Sequence, residues 1–223
     1  NYGTITKCYA NGVVTGNYCL GGLAGQNYGM INDCYAADSV TGGKDSSSLG
    51  GLCGSNDHGI ITNCYVNGRV SGDYCLGGLV GKNSSTIIEC YATGSVSGKN
   101  YIGGLVGENY NDGVIEGCYA TGSVSGAGGI GGLVGMIFLG KVTGCYATGS
   151  VAGTGTSGGL IGYNYSSTIN ASFWDMESSG MMDGVGNEDP DPNEVVGMDT
   201  AEMMTLSTFT GAGWDFTEGD GDG

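Results

Sequence analysis

A five-residue, glycine-rich block recurs six times along this 223-residue chain and constrains its fold more than any other feature. The block begins at Gly21, Gly50, Gly77, Gly103, Gly131 and Gly158, at intervals of 29, 27, 26, 28 and 27 residues. A period of about 20 to 50 residues is typical of stacked repeats, in which each unit buries its apolar face against its neighbours. The repeats therefore predict a chain built from coils stacked along one axis.

Alignment of the repeats shows which positions face the core. An aliphatic residue stands three positions before each Cys-Tyr pair, and before Ser172-Phe173 in a seventh, partial coil: Ile5, Ile31, Ile61, Ile87, Ile115, Val142 and Ile169. Two mostly polar residues separate this column from the cysteine, too soon for a continuing strand, so we expect a bend there. The pattern predicts an all-β solenoid of about seven coils, with three short strands per coil: a Gly-Gly-Leu, an Ile-to-Ala and a Val segment.

Two further columns occupy opposite faces of one strand, because strand side chains alternate. The cysteine column is expected to point inward: Cys8, Cys34, Cys64, Cys90, Cys118 and Cys145. The tyrosine column is expected to point outward: Tyr9, Tyr35, Tyr65, Tyr91, Tyr119 and Tyr146. Neighbouring coils lie about 4.8 Å apart, which allows disulfides by distance, whereas parallel Cβ directions favour buried free thiols. Both states stay open, and the remaining Cys19, Cys53 and Cys75 are expected to be unpaired.

The tyrosine column has two interpretations. An exposed aromatic strip could meet glycan rings or another protein chain. Alternatively, it could stabilise the stacking of the coils and bind nothing.

Leu79 and Val80 also allow two interpretations, since adjacent strand residues should face opposite sides of a strand. Either the Gly77-Gly78 pair bends the backbone so that both side chains reach the core, which we favour, or one of the two side chains meets a partner.

Charge divides the chain into a repeat region, 1–175, and an acidic C-terminal cap and tail, 176–223. The net charge of −16 splits into −4 and −12, because the second region holds twelve carboxylates and no Lys or Arg. Such a chain repels phosphate backbones, which argues against nucleic acid as a partner. No apolar run approaches the length of a membrane span, and no signal peptide is recognisable, so we expect a processed or partial chain.

Within the cap, Asp199-Thr200-Ala201-Glu202 resembles a helix capping box. We expect four apolar side chains behind it to cover the last coil: Met203, Met204, Phe209 and Trp214.

Few residues suggest chemistry. Asp189, Asp191 and Asn193 alternate like the start of a calcium loop, although Glu194 stands where such a loop needs glycine, so a solvated acidic loop is the alternative. Asp33 and Glu89 share a column two coils apart, about 10 Å, near the upper limit for an inverting glycosidase, which makes a β-helix carbohydrate-active enzyme a remote alternative. We expect no catalytic residue, and no cofactor other than calcium.

The repeats themselves resemble a known family. Gly77-Gly78-Leu79-Val80-Gly81-Lys82-Asn83 and Cys90-Tyr91-Ala92-Thr93-Gly94-Ser95-Val96 are similar to GLUG-motif repeats. The tail, with Ser172-Phe173-Trp174-Asp175, Thr200-Ala201-Glu202-Met203 and Gly213-Trp214-Asp215-Phe216, is similar to the segment that commonly succeeds those repeats. The resemblance implies a β-solenoid in bacterial or archaeal surface and adhesin-like proteins, with no catalytic residues. The His-Glu-x-x-His motif of the metallopeptidases that carry such repeats is absent from the sequence.

These observations predict a non-enzymatic, secreted or cell-surface structural or adhesive module. Its expected partners are other copies of itself, surface or matrix components, and glycans. The alternative is a subunit that assembles head to tail into an extracellular filament.

Overall fold

The computed structural model describes residues 1–37 and 39–211, and its coils stack into a parallel β-solenoid of about seven turns. Equivalent strands of successive coils pair in parallel and form four sheets along the described chain. Each sheet is named here after its most regular column. The predicted all-β solenoid is confirmed.

The isoleucine sheet carries the aliphatic column. Its strands are β1 (Thr4–Thr6), β5 (Met30–Asn32), β9 (Ile60–Thr62), β14 (Thr86–Ile88), β19 (Val114–Glu116), β24 (Lys141–Thr143) and β29 (Thr168–Asn170). The middle residue of each strand pairs with its equivalent, as Ile5 does with Ile31, and points inward. Between Ile31 and Val142 these residues are completely buried.

A sharp bend follows each of these strands, at the position predicted from the two polar residues. The residue just before the cysteine has a positive φ, such as 52° at Asp33 and 50° at Asn63. This left-handed conformation turns the chain into the tyrosine sheet. The strands of that sheet are β2 (Tyr9–Ala10), β6 (Tyr35–Ala36), β10 (Tyr65–Val66), β15 (Tyr91–Ala92), β20 (Tyr119–Ala120), β25 (Tyr146–Ala147), β30 (Ser172–Asp175) and β31 (Val195–Met198).

The valine–leucine sheet is next in each coil. Its strands are β3 (Val13–Leu20), β7 (Ser39–Gly50), β11 (Val70–Ser71), β12 (Tyr74–Gly77), β16 (Val96–Ser97), β17 (Asn100–Gly103), β21 (Val124–Gly126), β22 (Gly128–Gly131), β26 (Val151–Gly153) and β27 (Ser157–Gly158). Its Val and Leu or Ile side chains form a small core of their own, separate from the main core.

The asparagine sheet completes the coil. Its strands are β4 (Ala24–Asn27), β8 (Cys53–Asn56), β13 (Val80–Asn83), β18 (Val106–Tyr110), β23 (Val134–Phe138) and β28 (Ile161–Tyr165). A regular coil therefore has five short strands, as in β11 to β15, and the expectation of three was too low. The bend before the cysteine divides one predicted segment, and the glycine pair forms a corner between two strands.

That corner explains how adjacent apolar residues share one core. Leu79 and Val80 are both completely buried in the main core, so the favoured interpretation of the Gly77-Gly78 pair is confirmed. Space at the corner is minimal, because a Cβ added to Gly103 would overlap the carbonyl oxygen of Val106. Only glycine lets the backbone turn this closely.

The C-terminal region continues the stack before it turns helical. Val185 bridges to Ile161 in parallel, and β31 pairs with β30. Trp174 is buried and donates its indole N–H to the carbonyl of Met181 at 3.1 Å. It stands in the column of Ala147, so a large ring succeeds the small residues of the regular coils.

Three short helices complete the described chain: α1 (Met176–Ser179), α2 (Thr200–Met203) and α3 (Leu206–Gly211). The predicted capping box at Asp199 and Glu202 is present at the start of α2. Met203 is buried as expected, but Met204 is 83% exposed, so its predicted place over the last coil was wrong. Met204 is the C-cap residue of α2, just beyond the last turn of this four-residue helix. Trp214 and the motif 213–216 lie outside the described residues.

The corner glycines generate a prediction on stability. We expect Gly103→Ala to lower the free energy of unfolding by about 3 kcal/mol, because the new Cβ overlaps backbone atoms. The matched control is Gly144→Asn, at a bend with φ of +60° and no atom within 4 Å of an added Cβ. Asn63 already occupies the equivalent bend, so a change within about 0.5 kcal/mol is expected in urea denaturation. Equal losses in the two variants would contradict the corner argument.

Candidate functional surface

The tyrosine column forms one continuous stack on the outside of the solenoid. Successive ring centroids from Tyr35 to Tyr146 are 4.5, 5.0, 4.7 and 4.9 Å apart, with interplanar angles of 24°, 9°, 3° and 5°. The backbone sets this spacing, since each tyrosine pairs in register with the next. The side chains are partly exposed, with 37% for Tyr65. We call the stack from Tyr35 to Tyr146 the tyrosine ladder.

Stacking determines which part of each ring a partner can reach. Nearly parallel rings at these distances overlap face to face, because rings lying side by side in one plane would need wider spacing. The ring faces within the ladder are therefore covered by neighbouring rings. A sugar ring therefore has no free aromatic face inside the ladder on which to stack. At the first coil of the ladder the hydroxyl group of Tyr35 donates to Asn67 on the surface at 3.3 Å.

The two ends of the tyrosine column differ. Tyr9 pairs with Tyr35 through the backbone but is 75% exposed in the first coil. At the other end Phe173 takes the tyrosine position, and Phe209 of α3 packs edge-on against Tyr146 at 5.1 Å. Burial raises the pKa of Tyr91, Tyr119 and Tyr146, so these hydroxyls stay protonated over a wider pH range.

The cysteine column lies on the inner side of the same strands as a ladder of free thiols. Each buried thiol donates to the carbonyl two residues earlier, as Cys64 does to Thr62 at 3.0 Å. Each sulfur also accepts the backbone N–H of the cysteine in the preceding coil, as Cys64 does from Cys34 at 3.4 Å. The bend would otherwise leave that N–H without a partner, which is costly inside a protein.

Ser172 supports this explanation. It takes the cysteine position in the seventh coil, accepts the N–H of Cys145 at 3.2 Å and donates to Asn170 at 2.8 Å. The position thus requires a side chain that both donates and accepts. The expected inward orientation holds for five cysteines, which are buried: Cys34, Cys64, Cys90, Cys118 and Cys145. Cys8 is exposed, because no described coil precedes the first.

The other three thiols are also free, as expected. Cys19 and Cys75 share a column with Ser48, and all three adopt positive φ. Cys75 donates to Glu108 at 3.2 Å, and burial raises its pKa to about 12. These are the properties of a packed thiol rather than a reactive one, because the thiolate is the nucleophile.

A third ladder was not predicted from the sequence. Buried asparagine amides donate coil to coil from Asn27 to Asn56, Asn83 and Asn109, at 2.8, 2.8 and 2.7 Å. The signal in the sequence was the asparagine two residues after the repeated block, such as Asn83 after Gly81. Ile137 breaks the row, and Asn164 beyond it bonds to Glu188 instead.

One carboxylate of the predicted calcium loop, that of Asp191, makes hydrogen bonds to the backbone of the protein. Both oxygens of Asp191 accept backbone N–H groups, from Gly184 and Val185, at 2.7 Å each. Asp189 and Asn193 are exposed. Among the described residues, no group of three or more His, Cys, Asp and Glu side chains could hold a metal ion. Calcium at this loop stays a prediction.

The structure also locates the two carboxylates that suggested a glycosidase as a remote alternative. Asp33 and Glu89 are exposed at bends of positive φ two coils apart, with the bend of Asn63 between them, and Asn63 donates to Asp33 at 3.4 Å. Within residues 1–37 and 39–211, no helix is long and apolar enough to cross a membrane.

The geometry defines a class of protein, the parallel β-solenoid with self-stacking ladders. The GLUG motif matches four stretches, 16–41, 45–71, 72–97 and 98–125. The chain therefore carries four GLUG repeats, which confirms the resemblance that the sequence predicts. The backbone pairing continues in register beyond the last match, as between Tyr119 and Tyr146. No curated protein and no solved structure matches significantly.

The buried thiols predict a loss of stability in alkali. Burial raises the pKa of Cys53 to about 12 and that of Cys90, Cys118 and Cys145 well above its ordinary value. The folded state therefore holds protons that the unfolded chain releases near pH 9, so stability is intact below that pH and falls as pH rises toward 12. The limiting slope is about 1.4 kcal/mol per pH unit for each thiol.

Urea denaturation between about pH 8 and pH 10.5 measures this slope. Cys90→Ser keeps the donor and acceptor but removes one titrating thiol, so its slope should be smaller by about one group. An unchanged slope in that variant would mean that the tyrosines, whose raised pKa acts with the same sign, cause the whole effect.

Proposed function

We propose that this chain is a non-enzymatic structural and adhesive module of an extracellular or cell-surface protein. The observation that carries the proposal is the set of ladders in register, since isoleucine, cysteine, tyrosine and asparagine each contact their own equivalents in the next coil. Such nearest-neighbour contacts suit a spacer whose length depends on the number of repeats.

The charge suits an external setting, and the burial of most thiols is compatible with one. A net charge of −16 favours solubility and keeps the surface from binding nucleic acid. In an oxidising compartment, thiols react according to thiolate character and exposure. Five ladder thiols are buried, and burial raises the pKa of four of them, Cys34, Cys90, Cys118 and Cys145, which protects these thiols there. The GLUG repeats add the resemblance to surface proteins.

The adhesive surface of the proposal is the hydroxyl edge of the tyrosine ladder. The exposed Thr93 and Thr121 lie beside it, two residues after a ladder tyrosine in each case. Together they present hydrogen-bonding groups at a spacing fixed by the coils. An extended glycan with regularly spaced hydroxyl groups matches this array by hydrogen bonding rather than by ring stacking.

The ladder can be tested by separating its hydroxyl groups from its rings. The triple variant Tyr65→Phe, Tyr91→Phe, Tyr119→Phe keeps the stack, so we expect its melting temperature to change little and its retention on immobilised mucin or chitin to fall. The matched triple alanine variant should lose about 1 kcal/mol of stability per ring removed. If the phenylalanine variant is retained like the wild type, or the wild type is not retained, the ladder serves only to stabilise the stack.

Head-to-tail assembly into a filament is the second candidate, favoured by the first coil. Tyr9, Val13 and Tyr18 there are 75%, 73% and 67% exposed, and strand edges of this kind pair with further strands. Such an edge suits another solenoid unit, either preceding coils or a second copy.

Electron microscopy of the 223-residue chain at high concentration distinguishes these cases. We expect fibres for the wild type and single particles for Tyr9→Lys with Val13→Lys, which places charge on the open edge. The control Ser71→Lys alters the side of the solenoid and should leave fibres intact. Uniform single particles of the wild type would rule out the filament.

A further inference from the structure

We propose that the tyrosine ladder is a site of oxidative modification, at which neighbouring coils become joined by dityrosine bonds. Tyr35 and Tyr65 are the first pair. Their centroid distance of 4.5 Å is the shortest in the ladder and their tilt of 24° the largest. This inference goes beyond the proposed function and does not depend on it.

The fold supplies the proximity that coupling of two phenols requires. The reacting atoms are the ring carbons ortho to the hydroxyl. Tyr65 is 37% exposed, and the neighbouring Tyr35 hydroxyl donates to Asn67 on the surface. The register of β6 and β10 holds Tyr35 and Tyr65 side by side, so no encounter between molecules is needed. Exposed side chains also reorient within picoseconds to nanoseconds, which lets stacked rings turn toward each other.

The reaction balances with a peroxide as the oxidant and a haem peroxidase as its catalyst. Each tyrosine loses one electron and one proton from its hydroxyl group and becomes a phenoxyl radical. The radicals form one carbon–carbon bond between ortho carbons, and the hydrogen on each coupling carbon then moves to the phenol oxygen. In total, two tyrosines lose two hydrogen atoms, and hydrogen peroxide is reduced to two water molecules.

The location of the thiols directs oxidation toward the tyrosines. Five ladder cysteines are buried behind the same strands, whereas Tyr65 is exposed and Tyr35 is half-buried. Cys8 is the exposed thiol of that column, so Cys8→Ser is the appropriate background for the experiment. A bond from Tyr35 to Tyr65 would close a loop of one coil and restrict the unfolded chain, as a disulfide does.

The test oxidises dilute native protein with a haem peroxidase and hydrogen peroxide, and then uses trypsin digestion and mass spectrometry. The sparse basic residues help, because cleavage after Lys7, Lys44 and Arg69 places Tyr35 in peptide 8–44 and Tyr65 in peptide 45–69. We expect these peptides linked with the loss of two hydrogens, in a yield independent of protein concentration, together with dityrosine fluorescence. Tyr2 and Tyr28, stacked at 4.9 Å and 6°, should link peptides 1–7 and 8–44 likewise.

Two variants separate stacking from exposure. Tyr65→Phe keeps the ring but cannot form a phenoxyl radical, so the link between 8–44 and 45–69 should disappear. Tyr18 is 67% exposed and has no stacked ring partner among the described residues, so Tyr18→Phe should leave that link unchanged. The proposal is overturned if Tyr18→Phe abolishes the link, if Tyr65→Phe retains it, or if only concentration-dependent links between molecules form.

Discussion

In-register parallel pairing between coils is the constraint on which the rest of this structure depends. Because each coil advances by one strand spacing, every side chain is placed against its own equivalent above and below. A residue type can therefore occupy successive positions of a column only if its side chain can contact an identical side chain favourably. Aliphatic side chains pack, phenol rings stack, and thiols and amides both donate and accept hydrogen bonds, which is why these four chemistries form the ladders. Like charges do not satisfy the rule, and Lys82 lies instead beside Glu108 at 2.7 Å.

The same rule explains how much could be predicted from sequence. Columns that repeat one residue type directly predict burial and the direction in which the side chains point. The isoleucine core, the outward tyrosines and the bend before the cysteine were therefore all predictable. The number of strands was not, because a glycine pair at a corner and a glycine pair in a strand look alike in sequence. The hydrogen bond from the Cys34 N–H to the Cys64 sulfur was not predictable either. It depends on the direction in which the bend before the cysteine points that N–H group.

Prediction was weakest where repetition ends. The capping box at Asp199 is a local signal and was found, whereas Met204 was assigned to the interior on hydrophobicity alone and proved exposed. Trp174 and Val185 continue the coil with different residues, so column alignment gives no guidance there. The proposed binding role of the ladder is a separate matter, since ring stacking can be inferred from a column of tyrosines but a ligand cannot.

The asparagine row also gives the solenoid a direction. Every amide from Asn27 to Asn83 donates its N–H toward the later coil and accepts from the earlier one. The amide dipoles of the row thus all point the same way, so that one end of the row offers an acceptor and the other end a donor. An extra coil inserted between two others must fit the same polarity, so repeats of this kind can be multiplied or deleted as whole units but cannot be inverted. The number of coils in such a solenoid can therefore vary, whereas each coil must have the same orientation as the coil before it.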